Sequence, residues 1–203
     1  MIENFLRPLR GTVDVGADVL RGLGVLSVVL AAIFFDATDA GIVAFALPGL
    51  FFPRFIGMKA WADLVFGGTL LVAAWSNVLD LYTRIGWWDL AEHFVCTGIV
   101  AAGVYLLLAQ VGIISAPETA RLASTASLIL TTTIGLALCA LWEMVEWIGG
   151  TYISDAIYTA YDDTIGDMAV GGFGALCAGF AIVFLPLLRT LQSNPSEVPR
   201  SSK

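Results

Sequence analysis

Charged residues are scarce in this sequence, and that scarcity excludes a soluble globular domain. Only 13% of the 203 residues are charged, whereas 58% are hydrophobic. A soluble domain has about one-quarter charged and about one-half apolar residues. The composition therefore predicts an integral membrane protein, and the length suits one helical bundle without a second domain of ordinary size.

Cysteine and histidine are also rare, which argues against several kinds of metal centre. The three cysteines, Cys96, Cys139 and Cys177, fall in different apolar segments and lack the C-x-x-C spacing of zinc and redox sites. We interpret them as small packing residues. The chain has a single histidine, so the paired E-x-x-H motif of an oxygen-activating di-iron centre is absent.

Long apolar runs, by contrast, are abundant. A helix needs roughly 20 residues to cross a hydrocarbon core of ~30 Å. The five runs of sufficient length are 19–35, 60–79, 90–112, 122–147 and 167–189. A sixth run, at 40–53, is shorter and contains Pro48. We predict an all-α transmembrane bundle over 19–190, an interfacial N-terminal segment at 1–18 and a disordered tail at 191–203.

The basic residues indicate whether segment 40–53 crosses the membrane. If all six segments cross, nine of the ten Lys and Arg residues lie on one side and Arg84 alone lies on the other. If segment 40–53 turns back, the ten divide four against six. The positive-inside rule favours the first arrangement. We therefore predict six transmembrane helices with both termini in the cytoplasm.

Acidic residues have the opposite bias, because eleven of the seventeen fall on the outer side of this six-helix arrangement. Six side chains there form three pairs, each on a different predicted helix, with a spacing of three or four residues. The pairs are Asp89 with His93, Glu143 with Glu146, and Asp163 with Asp167. This spacing places both members of a pair on one helix face. We expect the three pairs to meet in one cluster, because they reach the same leaflet at similar depth.

Carboxylates that converge at a membrane interface repel one another unless they share protons or hold a cation. Oxygen donors with one imidazole suit divalent ions such as Mg²⁺, Mn²⁺, Fe²⁺ or Zn²⁺. We therefore predict a site for Mn²⁺, Mg²⁺ or Zn²⁺. Its predicted ligands are Asp89, His93, Glu143 and Asp167.

The first and third pairs also have a structural interpretation, and for Asp89 it is a favourable position in the first turn of its predicted helix. Asp163 or Thr164 could cap the sixth predicted helix, with Asp167 in its first turn favouring the helix dipole. A lone His93 is more often a packing residue. Glu143 and its partner lie before Gly-Gly, near a predicted helix C-terminus, where carboxylates are unfavourable. The E-x-x-E motif is therefore the most informative one in the chain.

The three motifs in this order, D-x-x-x-H-F, W-E-x-x-E-W and D-x-x-x-D-M before a Gly-rich helix, resemble the YjdF-like family of bacterial inner-membrane proteins. The likeness covers roughly residues 80 to 180. In the third motif, Asp162, Ile165 and Gly166 stand where that family has Trp, Gln and Trp. The resemblance implies a multi-pass protein of the bacterial inner membrane with this acidic site, and it implies no particular reaction.

Two classes of function remain open. The first is a metal-dependent hydrolase or transferase on a lipid-type substrate, with Glu146 or Asp163 as catalytic base and residues 149–166 as a lid that includes Tyr152, Tyr158 and Tyr161. The second is non-enzymatic: a structural polar cluster, or cation or proton handling. Arg84 is the one basic residue on that side, which disfavours phosphate chemistry. Membrane lipids are the expected partners, and nucleic acid is not.

The glycines of the apolar segments are predicted to mark close contacts between helices rather than catalytic positions. They are Gly67, Gly68, Gly171, Gly172 and Gly174.

Overall fold

The computed structural model describes residues 1–114, 121–153, 157 and 160–189, and for 121–124 it describes the backbone alone. The predicted tail at 191–203 lies outside the described residues. Eight helices form the described part of the chain. They are α1 (Ile2–Leu6), α2 (Thr12–Phe34), α3 (Ala37–Phe55), α4 (Ala60–Val78), α5 (Leu81–Arg84), α6 (Trp88–Gln110), α7 (Arg121–Tyr152) and α8 (Tyr161–Phe184). The all-α prediction is confirmed for these residues.

Four of the helices are long and apolar enough to cross a membrane: α2, α6, the Thr125–Tyr152 part of α7, and α8. The chain is therefore a membrane protein by length and composition of its helices. The helices α3 and α4, with 19 residues each, are not among these four. α3 contains Pro48 and Pro53 and begins with Asp36, whose side chain accepts the backbone N–H of Asp39.

The predicted ends of the last two spans were wrong. α7 continues through Gly149 and Gly150 to Tyr152, so the Gly-Gly pair does not end it. α8 begins at Tyr161, before the predicted start at 167, and ends at Phe184. Leu185 is extended because it precedes Pro186, whose ring disfavours helical backbone at the residue before it.

The long helices pack as two groups of three, with α2, α3 and α4 in one and α6, α7 and α8 in the other. Contacts between α4 and α6 join the groups. A buried apolar cluster lies at this junction, and it includes Ile56, Phe66, Tyr105 and Ile182. In the second group, α6 and α8 run parallel and α7 runs antiparallel, so the start of α6, the end of α7 and the start of α8 share one end of the bundle.

Glycine allows α6 and α8 to touch through their backbones. A Cβ at Gly174 would overlap the carbonyl oxygen of Phe94, and a Cβ at Gly98 would lie 2.8 Å from the carbonyl oxygen of Gly174. The prediction of close contacts is confirmed at Gly174 and at three of the other four glycines. Gly68 is the exception, because a Cβ there would meet nothing within 4 Å.

Ion pairs of two buried arginines hold α2, α3 and α4 together, at the end of the molecule opposite the shared end of α6, α7 and α8. Arg21 on α2 donates to both carboxylate oxygens of Asp63 on α4, at 2.5 and 2.6 Å, and it also donates to Asp18 at 2.7 Å. Arg54 on α3 donates to the same Asp18 oxygen at 2.8 Å. Arg54 also donates to the carbonyl oxygen of Phe5, which fixes α1 against α3.

We predict that Gly174→Ala destabilises the protein by about 1–3 kcal/mol, because the new methyl group would force α6 and α8 apart. Gly68→Ala is the matched control, since its methyl group enters open space and alanine favours a helix. Thermal unfolding in detergent, followed by circular dichroism, measures both. Equal melting temperatures for the two variants would contradict the backbone contact.

Candidate metal site

Four of the predicted site residues converge at the shared end of α6, α7 and α8. Asp89 and His93 lie in the first two turns of α6, Glu143 lies on α7 and Asp167 lies on α8. His93, Glu143 and Asp167 are only 7%, 8% and 2% exposed. The sequence spacing therefore predicted which side chains meet, and burial makes their charges costly.

The imidazole of His93 lies at the centre of the group. Its Nε2 atom is 3.6 Å from Asp89 Oδ1, 3.9 Å from Glu143 Oε1 and 3.9 Å from Asp167 Oδ2. All three separations exceed the usual N–H···O hydrogen-bond distance of about 2.7–3.2 Å. Glu143 Oε1 is fully buried and has no hydrogen-bond partner. An unsatisfied buried carboxylate oxygen costs free energy unless a hydrogen-bond donor or a cation lies beside it.

Cys139 lies on the other side of the imidazole, and the sequence interpretation missed it. Its Sγ atom is 3.6 Å from His93 Nδ1. Two groups of possible metal donors have ligand atoms within 4.8 Å of one another: Asp89, His93 and Asp167, and His93, Cys139 and Glu143. Cys139 lies four residues before Glu143 on α7. This spacing was a usable signal, because it puts both side chains on one helix face.

The two residues predicted as catalytic bases are not part of either donor group among the described residues. Glu146 is half-buried on α7, and its Oε1 atom accepts the indole N–H of Trp142 at 2.9 Å. Asp163 is half-buried in the first turn of α8. Their catalytic roles stay predictions.

The helix-capping interpretation of the third pair was wrong. The N-cap residue of α8 is Ala160, without a side-chain cap, so neither Asp163 nor Thr164 caps the helix. Asp163 lies in the first turn, where it favours the helix dipole, but Asp167 lies beyond that turn and is buried. Capping and the dipole therefore do not account for Asp167.

The end of α7 also changes the argument for Glu143. α7 extends to Tyr152, so this carboxylate lies in the body of the helix, outside its last turn. Its unfavourable energy comes from burial without a partner, because the dipole acts mainly within the last turn.

Ten of the eighteen residues of the predicted lid at 149–166 belong to helices, and the lid itself stays a prediction. Residues 149–152 belong to α7 and residues 161–166 belong to α8. Tyr152 and Tyr161 are exposed at the facing helix ends, and Tyr158 lies outside the described residues.

A family model described as "Predicted membrane protein (DUF2238)" matches residues 20–188, which is most of the chain. The chain belongs to this family. The matched segment includes all four donor residues. The description of the family agrees with the prediction of a membrane protein. Neither the search of curated proteins nor the search of solved structures gave a match. The YjdF-like assignment and the bacterial inner membrane stay predictions.

We predict that Glu143→Gln stabilises the metal-free protein by about 1 kcal/mol, because it removes a buried carboxylate whose Oε1 atom lacks a hydrogen-bond partner. Glu146→Gln is the matched control, since this side chain is half-buried and already hydrogen-bonded. Its effect should lie within about 0.5 kcal/mol. Unfolding is measured in detergent with a chelator present. A loss of stability in Glu143→Gln would show that the carboxylate is satisfied without an ion.

Proposed function

We propose that this membrane protein binds one divalent cation between α6, α7 and α8, with Asp89, His93, Glu143 and Asp167 as ligands. The observation that carries the proposal is the buried Glu143 Oε1 atom, which has no hydrogen-bond partner and lies 3.9 Å from His93 Nε2. A cation between these two atoms would satisfy both.

The separations between donor atoms fit an ion of this kind. A tetrahedral ion with bonds of about 2.1 Å holds its donor atoms about 3.4 Å apart. The distances from His93 Nε2 to the three carboxylates, 3.6–3.9 Å, exceed that value by a few tenths of an ångström. The donor atoms within 4.8 Å of one another group Glu143 with His93 and Cys139, and Asp89 with His93 and Asp167, so one ion bound to all four ligands would require the carboxylate side chains to rotate toward one another.

Charge supports a cation over a purely structural cluster. If all three carboxylates were ionised they would bring three negative charges, and the only basic side chain among the four donors is an imidazole. A divalent ion would cancel two of those charges in a region where water is excluded. Ionisable residues inside transmembrane helices usually mark a functional site for this reason.

The open side of the site favours a reaction over storage of the ion. The Asp89 side chain is 36% exposed, whereas the other three donors are buried. A tetrahedral ion with four protein ligands has no position for water, so in a catalytic site the exposed Asp89 would give way to water, or the ion would be one such as Mn²⁺ that takes six ligands. We propose a metal-dependent hydrolase or transferase on a lipid-type substrate, with Glu146 or Asp163 as the base that takes a proton from metal-bound water.

In the finer topology we propose, α3 and α4 also cross the membrane, which gives six spans with both termini in the cytoplasm. Each has 19 residues, which corresponds to about 28 Å of helix. The separation of basic and acidic residues supports this arrangement, in which the proposed metal site would lie at the outer face.

We predict that Zn²⁺ or Mn²⁺ raises the melting temperature of the wild-type protein, whereas Glu143→Gln and Asp167→Asn lose most of that increase. Binding at a free-ion concentration about 100 times Kd adds about 2.7 kcal/mol. Asp162→Asn is the control, because Asp162 is an exposed carboxylate in the first turn of α8. Each protein is unfolded with metal and with chelator. An equal response from all four proteins would leave the cluster as a structural feature.

A further inference from the structure

We propose that Cys139 is the positioning residue of this site: its sulfur accepts the Nδ1–H of His93 and thereby turns Nε2 toward the carboxylates. The role of Nε2 as a metal ligand rests on the proposed function, whereas the contact between thiol and imidazole does not.

The thiol of Cys139 is enclosed by three polar groups at the contact of α6, α7 and α8. Its Sγ atom is 3.6 Å from His93 Nδ1, 3.5 Å from the backbone carbonyl oxygen of Asp167 and 3.9 Å from Thr97 Oγ1. Cys139 itself is buried. The thiol therefore links the imidazole of His93 on α6 to the backbone of Asp167 on α8. The carboxylate of Asp167 lies on the Nε2 side of the same imidazole.

The hydrogen atoms available to these groups determine which one donates. A carbonyl oxygen only accepts, so the contact between the thiol and Asp167 O uses the single thiol hydrogen. In the arrangement we propose, the sulfur therefore accepts from its other neighbours, and His93 Nδ1 carries a hydrogen. In a neutral imidazole with Nδ1–H, the Nε2 lone pair is free. That lone pair faces Asp89, Glu143 and Asp167, where it suits a cation.

Gly171 provides the space for this arrangement. A Cβ at position 171 would lie 2.9 Å from Cys139 Sγ and 2.9 Å from Thr97 Oγ1. Gly171 is also one helical turn after Asp167, so the same face of α8 carries the carboxylate and the room for the thiol. The unpartnered Glu143 Oε1 on the Nε2 side is an independent indication that this imidazole serves a ligand.

A direct role of Cys139 as a metal ligand is the competing explanation. Cys139, His93 and Glu143 have donor atoms within 4.8 Å of one another. A metal-bound cysteine is a thiolate, whereas a thiol that donates to a carbonyl keeps its hydrogen. The sulfur also contacts Nδ1, while the three carboxylates are measured from Nε2. The contacts therefore favour positioning over ligation.

The single histidine makes the tautomer measurable without assignment. In ¹⁵N-histidine-labelled protein in detergent, NMR should show a protonated Nδ1 both without metal and with Zn²⁺, and Zn²⁺ should shift Nε2. In Cys139→Ala the preference for Nδ1–H should be lost, and Zn²⁺ affinity should fall about 10–100-fold. Cys139→Ser, whose hydroxyl can still accept, should recover part of both. Cys177→Ala, at an exposed position on α8, should match the wild type.

An unprotonated Nδ1 in the wild-type protein, with or without Zn²⁺, would overturn the proposal. So would a sulfur-to-cobalt charge-transfer band in the Co²⁺-loaded wild type that disappears in Cys139→Ala, because it would make the sulfur a ligand. A wild-type protein that binds neither Zn²⁺ nor Co²⁺ ends the proposed function, yet the Nδ1 signal of the metal-free protein still decides the role of Cys139.

Discussion

The backbone contact between α6 and α8 is the constraint on which the site depends. Gly98 and Gly174 let the two parallel helices touch, because a Cβ at Gly174 would overlap the carbonyl oxygen of Phe94. His93 precedes Phe94, and Asp167 lies on the same face of α8 two turns before Gly174. α7 packs against both helices and completes the cluster with Glu143. A larger residue at Gly98 or Gly174 would push α6 and α8 apart. It would thereby separate the donor side chains although no donor residue is itself replaced.

The two ends of the bundle treat buried carboxylates differently. At one end, three acids have guanidinium partners. Asp63 pairs with Arg21, the half-buried Asp18 pairs with Arg21 and Arg54, and Asp14 pairs with Arg189. At the other end, Glu143 and Asp167 have the imidazole of His93 as their recorded ion-pair partner among the described residues, at 3.9 Å from each. The described acids at the second end therefore lack the guanidinium partners that the acids at the first end have, and a bound cation could take that place.

Much of the site follows from local spacing in the sequence. Residues four apart share a helix face, so the pairing of Asp89 with His93 was predicted without knowledge of the packing. Of the third pair, Asp167 joins a donor group and Asp163 does not. The meeting of the pairs was predicted because the connections between these three helices bring them to one leaflet. The membrane class followed from composition, and DUF2238 membership agrees with it.

The remaining features depend on tertiary contacts that local spacing does not record. Gly149 and Gly150 stay helical because packing overrides their low helix propensity. Cys139 was interpreted as a packing residue, because its spacing of four from Glu143 does not show that His93 Nδ1 and the carbonyl of Asp167 surround the thiol. The Arg21–Asp63 pair joins residues 42 positions apart, and nothing in either segment indicates the other.

Metal content of the protein is the most direct measurement of the central claim. Elemental analysis is made on detergent-purified wild type, Glu143→Ala and Glu146→Ala after equilibration with Zn²⁺ and removal of free ion. We expect about one ion per chain in the wild type and in Glu146→Ala, and none in Glu143→Ala. A wild type without metal, or equal metal in all three proteins, would contradict a cation site at Glu143.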